Sequence, residues 1–217
     1  SSSTPAQVIR EQISAHGYLK EGGREEITND SMRLIEELPE RLGATLEIGF
    51  GYGLTARRVA ARATRYVGID LQVEQCQTLR ELGGEGAVAD LHRLPFKDGS
   101  FDTVIADNVL EHAYDPLAAL TEIRRALRRG GRVYSLLPLD GRTSLHQIRS
   151  HLWKADEEGI DEAVRRAGLR MLRKQILEYG KLGVYGCFPA SEGKTCLMVL
   201  EREASIESMP PPPKGAP

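Results

Sequence analysis

The sequence predicts an α/β fold in which helices cover both faces of a doubly wound, mainly parallel sheet. Short apolar segments typical of buried strands alternate along the chain with amphipathic segments typical of helices. A glycine-rich turn joins the first strand to the first helix, and a later helix carries clear boundary residues. Alternating strands and helices imply right-handed crossovers, so we expect neighbouring strands to run parallel.

Seven segments of the chain have the apolar character of strands. The first five are predicted at residues 44–48, 66–69, 87–89, 101–106 and 132–137. Two further strands are predicted after these, at residues 169–177 and 195–202. Helices are predicted between them at 54–63, 73–82 and 161–167, and in two pieces within 7–40, outside the sheet.

One more helix, between the fourth and fifth strands, has the clearest boundaries. Asp115 can accept hydrogen bonds from the free N–H groups of its first turn, and Pro116 suits the first helical position. Apolar residues then recur at helical spacing. Gly130 and Gly131 predict the end of this helix, because glycine readily adopts the left-handed conformation common there.

The composition is typical of one globular domain of ordinary size. The chain has 217 residues, of which 41% are hydrophobic and 28% are charged. Its net charge of -2 supplies no basic field for a nucleic acid, so we predict no nucleic-acid partner. We also predict no membrane partner, because no apolar run approaches membrane-spanning length and the first residues lack the features of a signal peptide.

The three cysteines give no sign of a metal centre. Cys76, Cys187 and Cys196 are far apart and form no C-x-x-C pair. We therefore expect free thiols, no bound metal and a reducing cytoplasmic location. We divide the chain into a helical cap at 1–40, the α/β domain at 41–203 and a disordered proline-rich tail at 204–217.

The turn after the first strand carries Gly49, Gly51 and Gly53. Glycines let the backbone turn sharply and approach a ligand closely, although such turns also serve packing alone. Asp70 ends the second strand about 20 residues later, where an acidic side chain can accept hydrogen bonds from ribose hydroxyls. This pair fits a ribose without a 2′-phosphate and leaves both NAD and S-adenosylmethionine open.

Two features of the turn favour S-adenosylmethionine. Glu47 stands just before the glycines, where its carboxylate would repel a pyrophosphate but suit an ammonium and a sulfonium. The glycine spacing is G-x-G-x-G, whereas the dinucleotide fingerprint is G-x-G-x-x-G. The alternative interpretation of Glu47 is an exposed residue at the end of a strand.

Further motifs follow in a fixed order along the chain. They are 47–53, Asp70-Leu71, Asp90-Leu91, Leu94-Pro95-Phe96 with Ser100-Phe101-Asp102, 107–112 and 127–131. With these motifs, residues 45–138 resemble the class I S-adenosylmethionine-dependent methyltransferases, in their small-molecule, type 11-like branch. The resemblance implies a Rossmann-like, seven-stranded, mainly parallel sheet with an antiparallel last strand.

The resemblance also implies a role for each matching residue at the methionine end of the cofactor. Gly49 and Gly51 would face the methionine part, and Glu47 would hold its ammonium directly or through water. Asn108 would line the same end through its backbone carbonyl.

Other matching residues would bind the adenosine. Asp70 would bind the ribose, and Leu71 would pack on the adenine. Asp90 would accept a hydrogen bond from the adenine amino group, while the Leu91 N–H would meet a ring nitrogen.

The activity implied is O-, N- or C-methylation of a small metabolite or natural-product intermediate. A general base helps when the acceptor is a hydroxyl, and the candidates are His112, His151 and Asp107. His112 could instead pack beside the cofactor, and His151 could support the loop after the fifth strand.

Four other functions stay open from the sequence. They are methylation of a protein or nucleic acid, transfer of another group from a modified sulfonium cofactor, non-catalytic binding of S-adenosylmethionine within a larger protein, and NAD-dependent dehydrogenation. The oligomeric state is not predicted.

Overall fold

The computed structural model describes residues 28–139, 152–178 and 194–203. Its single sheet has seven strands in the order β3-β2-β1-β4-β5-β7-β6. All neighbours are parallel except β7, which runs antiparallel to both β5 and β6. The strands are β1 (Gly43–Ile48), β2 (Ala63–Asp70), β3 (Glu85–Val88), β4 (Phe101–Asp107), β5 (Leu127–Leu139), β6 (Arg170–Glu178) and β7 (Lys194–Glu201).

The described helices lie between these strands or before them. They are α1 (Asn29–Glu37), α2 (Ala56–Val59), α3 (Val73–Glu81), α4 (Pro116–Ala126) and α5 (Glu157–Arg166). Short 3₁₀ helices follow α2 at Ala60–Arg62 and β4 at Leu110–His112. The doubly wound α/β fold predicted from the alternation of strands and helices is therefore confirmed, and so is the antiparallel last strand that the family resemblance implies.

Two apolar layers hold the helices to opposite faces of the sheet. On one face, Leu120 of α4 and Ile160 of α5 pack with strand residues such as Leu46. On the other face, Leu34 of α1 and Leu79 of α3 pack against further sheet residues. Side chains alternate across a strand, so both faces of this sheet are apolar. This burial fixes the strand ends from which the site is built.

The start of α4 agrees with the prediction, but its predicted end is wrong. The Asp115 carboxylate accepts from the Ala118 N–H at 3.0 Å, as expected of a cap. The helix ends at Ala126, and Leu127 is already extended and pairs with Phe101 of β4. Gly130 instead lies within β5 at φ 74°, where its N–H donates to the Arg202 carbonyl at 2.7 Å. The left-handed backbone of Gly130 therefore belongs to a paired strand and does not cap a helix.

The helix predicted at 54–63 is shorter in the structure. It consists of α2 and the adjoining 3₁₀ turn, and ends before Ala63, which pairs with Gly43 at the start of β2. Residues 7–27, the stretch between β6 and β7, and the tail at 204–217 lie outside the described residues. The division of the chain at residues 40 and 203 stays a prediction.

Two of the predicted free thiols can be checked. Cys76 and Cys196 are unpaired and buried, and Cys187 lies outside the described residues. Within the described ranges, no helix is both long and apolar enough to cross a membrane.

Candidate active site

A cleft opens at the carboxyl ends of β1 and β4. The strand order reverses between these two strands, and ligands of open α/β sheets bind at such a reversal. Four sequence-predicted residues, Glu47, Gly49, Asp107 and Asn108, contribute to the lining. Thr28 and Ser31, at the start of α1, also contribute, although the sequence offered no specific sign of them.

The glycine-rich turn forms one wall of this cleft. Gly49, Gly51 and Gly53 have φ values of 65°, 51° and 70°, a region that favours glycine. A Cβ on Gly49 would lie 2.5 Å from the Val109 Cγ2, whereas a Cβ on Gly51 would meet no described atom within 4 Å. Gly49 therefore allows close packing within the protein, and Gly51 presents bare backbone to open space.

Asp70 ties the end of β2 to this turn. Its Oδ2 accepts from the Gly51 N–H at 3.2 Å, and its Oδ1 accepts from the Gln72 N–H at 3.0 Å. The side chains of Asp70 and Leu71 are both partly exposed beside the turn. A carboxylate oxygen can accept more than one hydrogen bond, so Asp70 retains capacity for ribose hydroxyls.

Glu47 is buried, with only 2% of its surface exposed. Its interpretation as an exposed strand-end residue is therefore wrong. The Tyr66 hydroxyl donates to its Oε2 at 2.7 Å. Burial above all, with repulsion from Asp107 and Asp70, raises the pKa of Glu47 to about 8, although the Tyr66 hydrogen bond opposes that shift. The unliganded carboxyl is consequently mostly protonated at neutral pH.

The end of β4 supplies another part of the lining, Asp107 and Asn108. The Asp107 carboxylate accepts from the Asn108 amide at 2.7 Å and from the Thr55 hydroxyl at 3.4 Å. Asn108 has φ 51° and is the one non-glycine residue of the described ranges with a left-handed backbone. Such conformations are held by their surroundings and cluster at functional sites.

Asp30, near the start of α1, was not predicted as a site residue, because its burial and its interaction with Asp107 involve residues distant along the chain. It is buried, and that burial, together with the Asp107 charge, raises its pKa to about 6. Glu47, Asp70 and Asp107 also interact electrostatically. The site therefore concentrates carboxyl groups, which disfavours a pyrophosphate and favours a cationic ligand.

The candidate bases are placed differently. Asp107 lies in the cleft, but His112 does not belong to its described lining. The His112 Nε2 is 3.9 Å from the Glu111 Oε1, on the 3₁₀ turn after β4. His151 lies outside the described residues.

Asp90 and Leu91 follow β3, beside the end of β2. Leu91 is buried and packs in the apolar core, and the Asp90 carboxylate is partly exposed. The His92 ring lies 2.6 Å from the Asp90 Oδ1, and this contact lowers the pKa of Asp90. In the sequence, the only sign of the contact between Asp90 and His92 is their D-x-H spacing.

These residues fit S-adenosylmethionine better than a dinucleotide. Bare backbone at Gly51 leaves room for close approach, Asp70 is available to a ribose, and the acidic cleft suits an ammonium and a sulfonium. Among the described residues, no group of three or more His, Cys, Asp or Glu side chains is arranged to hold a metal ion.

Comparison with known proteins identifies the domain. Residues 46–135 match the protein family described as "Methyltransferase domain". This segment is a class I S-adenosylmethionine-dependent methyltransferase domain. The cofactor of the family is S-adenosylmethionine, which agrees with the chemistry of the cleft.

The methyltransferase domain has relatives that differ in length. A 37.1 kDa protein in a transposon of Streptomyces fradiae is 36% identical over 109 residues, which are 46% of this chain and 32% of that protein. The 27-O-demethylrifamycin SV methyltransferase of Amycolatopsis mediterranei is 33% identical over 131 residues, 54% of this chain and 48% of that enzyme. The chain thus spans less than half the length of both relatives.

Solved structures share the fold of the methyltransferase domain. Phosphoethanolamine N-methyltransferase 2 of Haemonchus contortus, in complex with phosphomonomethylethanolamine and S-adenosylhomocysteine, matches with a TM-score of 0.70 and 16% identity. The match covers 94% of this chain and 61% of that one. At this identity the likeness concerns the fold alone.

Proposed function

We propose that this protein transfers the methyl group of S-adenosylmethionine to a small-molecule acceptor in the cytoplasm, by O-, N- or C-methylation. The observation that carries the proposal is the acidic cleft at the reversal of the strand order, which Glu47 and Asp107 line from the ends of the adjacent strands β1 and β4. A rifamycin-modifying O-methyltransferase among the relatives supports a small-molecule acceptor.

The cofactor would lie across the ends of the first four strands. Glu47, Gly49, Gly51 and Asn108 would bind its methionine part, with Glu47 close to the ammonium. Asp70 would accept from the ribose hydroxyls. These assignments are supported by the open backbone at Gly51 and the carboxylates already placed in the cleft.

The adenine would lie between the ends of β2 and β3. Leu71 would pack against its ring, the Leu91 N–H would meet a ring nitrogen, and the Asp90 carboxylate would accept from its amino group. The partly exposed Asp90 carboxylate supports this placement.

When bound, the cofactor supplies a methyl group made electrophilic by the sulfonium. The chain has to align the acceptor with that methyl group and keep water away. For a hydroxyl acceptor, Asp107 is the best-placed candidate base, because it lies in the cleft. His112 and His151 would then support the site without moving a proton.

The test combines titration calorimetry with an assay of methyl transfer. We expect micromolar binding of S-adenosylmethionine and S-adenosylhomocysteine, no comparable binding of NAD, and acceptor-dependent formation of S-adenosylhomocysteine with a panel of phenols, sugars and amines. With a hydroxyl acceptor, Asp107→Asn should lower kcat about a hundredfold, and His112→Asn and His151→Asn should lower it less. Binding without turnover on any acceptor would favour a non-catalytic module, and preference for NAD would refute the proposal.

Cofactor binding should release a proton from Glu47. A bound ammonium favours the ionised carboxylate, so the pKa of about 8 must fall on binding and affinity should rise with pH between about 6 and 8. At pH 7, we expect calorimetry of S-adenosylhomocysteine in buffers of different ionisation enthalpy to detect close to one released proton. Glu47→Gln should abolish this release.

Asp30→Asn provides the matched control for this proton. The pKa of Asp30, about 6, leaves it mostly ionised at pH 7, so its removal should leave the release intact. Equal release by wild type and Glu47→Gln would contradict the assignment.

The raised pKa of Glu47 also makes the stability of the protein without ligand depend on pH. Between about pH 4.5 and 8 the folded protein holds a proton on Glu47 that the unfolded chain has lost, so the free energy of unfolding should fall as pH rises through this range.

A further inference from the structure

The loop after β3 contains a histidine that the proposed reaction does not use. The His92 side chain is 5% exposed, although its neighbours Asp90 and Tyr114 both reach the surface. Its ring stacks on Tyr114, with ring centroids 3.6 Å apart and an interplanar angle of 24°. The imidazole is therefore held on one face by an aromatic side chain from the segment before α4.

The hydrogen bonds of His92 determine which ring nitrogen carries the proton. The backbone N–H of Asp115 donates to the His92 Nε2 at 3.3 Å, so Nε2 acts as an acceptor. A neutral imidazole then carries its proton on Nδ1. The Nδ1–H is 2.6 Å from the Asp90 Oδ1 and donates to it.

His92 donates a second hydrogen bond to the Asp90 Oδ1, from its backbone. The His92 backbone N–H donates to the Asp90 Oδ1 at 2.9 Å. Within the described ranges, no hydrogen bond from another residue reaches the Asp90 Oδ2. His92 thus fixes the carboxylate through one oxygen and leaves the other to a ligand.

We infer that His92 is a positioning residue that holds the Asp90 carboxylate for recognition of the 6-amino group of adenine, and so makes the site selective for adenine over purines without that group. The inference rests on the proposed placement of the cofactor. The buried His92 ring connects the start of α4 to the segment that follows β3. A ring held at three points limits rotation of Asp90, and preorganised acceptors discriminate better than mobile ones.

The test measures selectivity rather than turnover. Calorimetry would compare S-adenosylhomocysteine with its analogue in which hydrogen replaces the 6-amino group. Wild type should bind S-adenosylhomocysteine about tenfold more tightly than the analogue, the effect of one hydrogen bond to a charged acceptor. In His92→Ala this preference should fall below about twofold, while affinity for the analogue changes little.

Two further variants separate positioning from packing. His92→Asn places an amide N–H near the former Nδ1 and should retain most of the preference. Tyr114→Phe keeps the stacked ring and should retain all of it. Thermal unfolding of each variant would confirm that the fold is intact.

The possible failures are distinguishable. An unchanged preference in His92→Ala, or equal weakening of both ligands, would overturn the role of His92 and leave the cofactor assignment standing. Wild-type binding without any preference would show that Asp90 does not contact the amino group, and would also overturn it. If wild type binds neither ligand, the proposed function fails, and this inference fails with it.

Discussion

Replacing Asp70 by alanine is expected to weaken binding of S-adenosylhomocysteine by at least about a hundredfold. The carboxylate would accept from two ribose hydroxyls, and hydrogen bonds to a charged group contribute about 1.5–3 kcal/mol each, where 1.4 kcal/mol is tenfold in affinity. The variant also loses the acceptor that the Gly51 N–H uses at 3.2 Å. The variant therefore loses one hydrogen bond of the turn as well as the proposed contacts with the ribose.

Calorimetry with Asp70→Ala and a matched acidic control would measure this loss. Glu74 lies in the first turn of α3, four positions from Asp70, and is exposed, so Glu74→Ala should bind within about twofold of wild type. Because Asp70 is only partly buried, the melting temperature of Asp70→Ala should stay close to that of wild type. Retention of affinity within about fivefold would contradict the ribose assignment.

Alanine at Gly49 and alanine at Gly51 should have different effects, although both residues have left-handed backbone. Gly49→Ala adds a Cβ 2.5 Å from Val109, so overpacking of about 1–3 kcal/mol joins backbone strain of about 1–2 kcal/mol. We expect the free energy of unfolding to fall by about 2–5 kcal/mol. Gly51→Ala carries the strain alone, because no described atom lies within 4 Å of its Cβ.

In the proposed placement of the cofactor, a Cβ on Gly51 would instead occupy space beside its methionine part. Gly51→Ala should therefore bind S-adenosylhomocysteine at least about tenfold more weakly, while it keeps most of its stability. Chemical denaturation and calorimetry on both variants would separate the two effects. The interpretation fails if Gly49→Ala is as stable as wild type, or if Gly51→Ala binds as tightly.

Local signals predicted much of the fold. Asp115 and Pro116 mark the start of α4 because a cap depends on residues within one turn. The prediction that Gly130 ends α4 was wrong because a left-handed glycine occurs both at helix ends and within strands. Only the pairing of this segment with β4 and β7 decides between the two. Ala63 likewise joins β2 through its partner Gly43, which lies in another part of the sequence.

The candidate site divides in the same way. Glu47, the glycines and Asp70 stand at or just beyond the carboxyl ends of β1 and β2, so their spacing along the chain brings them to one edge of the sheet. The burial of Glu47 against Tyr66 and the ring stack of His92 on Tyr114 join distant residues. No pattern of nearby residues encodes such pairs, so they were not predicted.

The place of β7 has a consequence for how the nascent chain folds. This strand lies between β5 and β6, yet it is the last of the seven to be synthesised. Until residues 194–201 leave the ribosome, β5 keeps an unpaired edge, and β6 has no neighbour in the sheet. The parallel half that carries the proposed cofactor-binding residues can form first, while an exposed apolar edge invites association with other chains. Completion of the sheet therefore depends on late pairing of β5 with β7, a long-range contact of the kind that forms slowly.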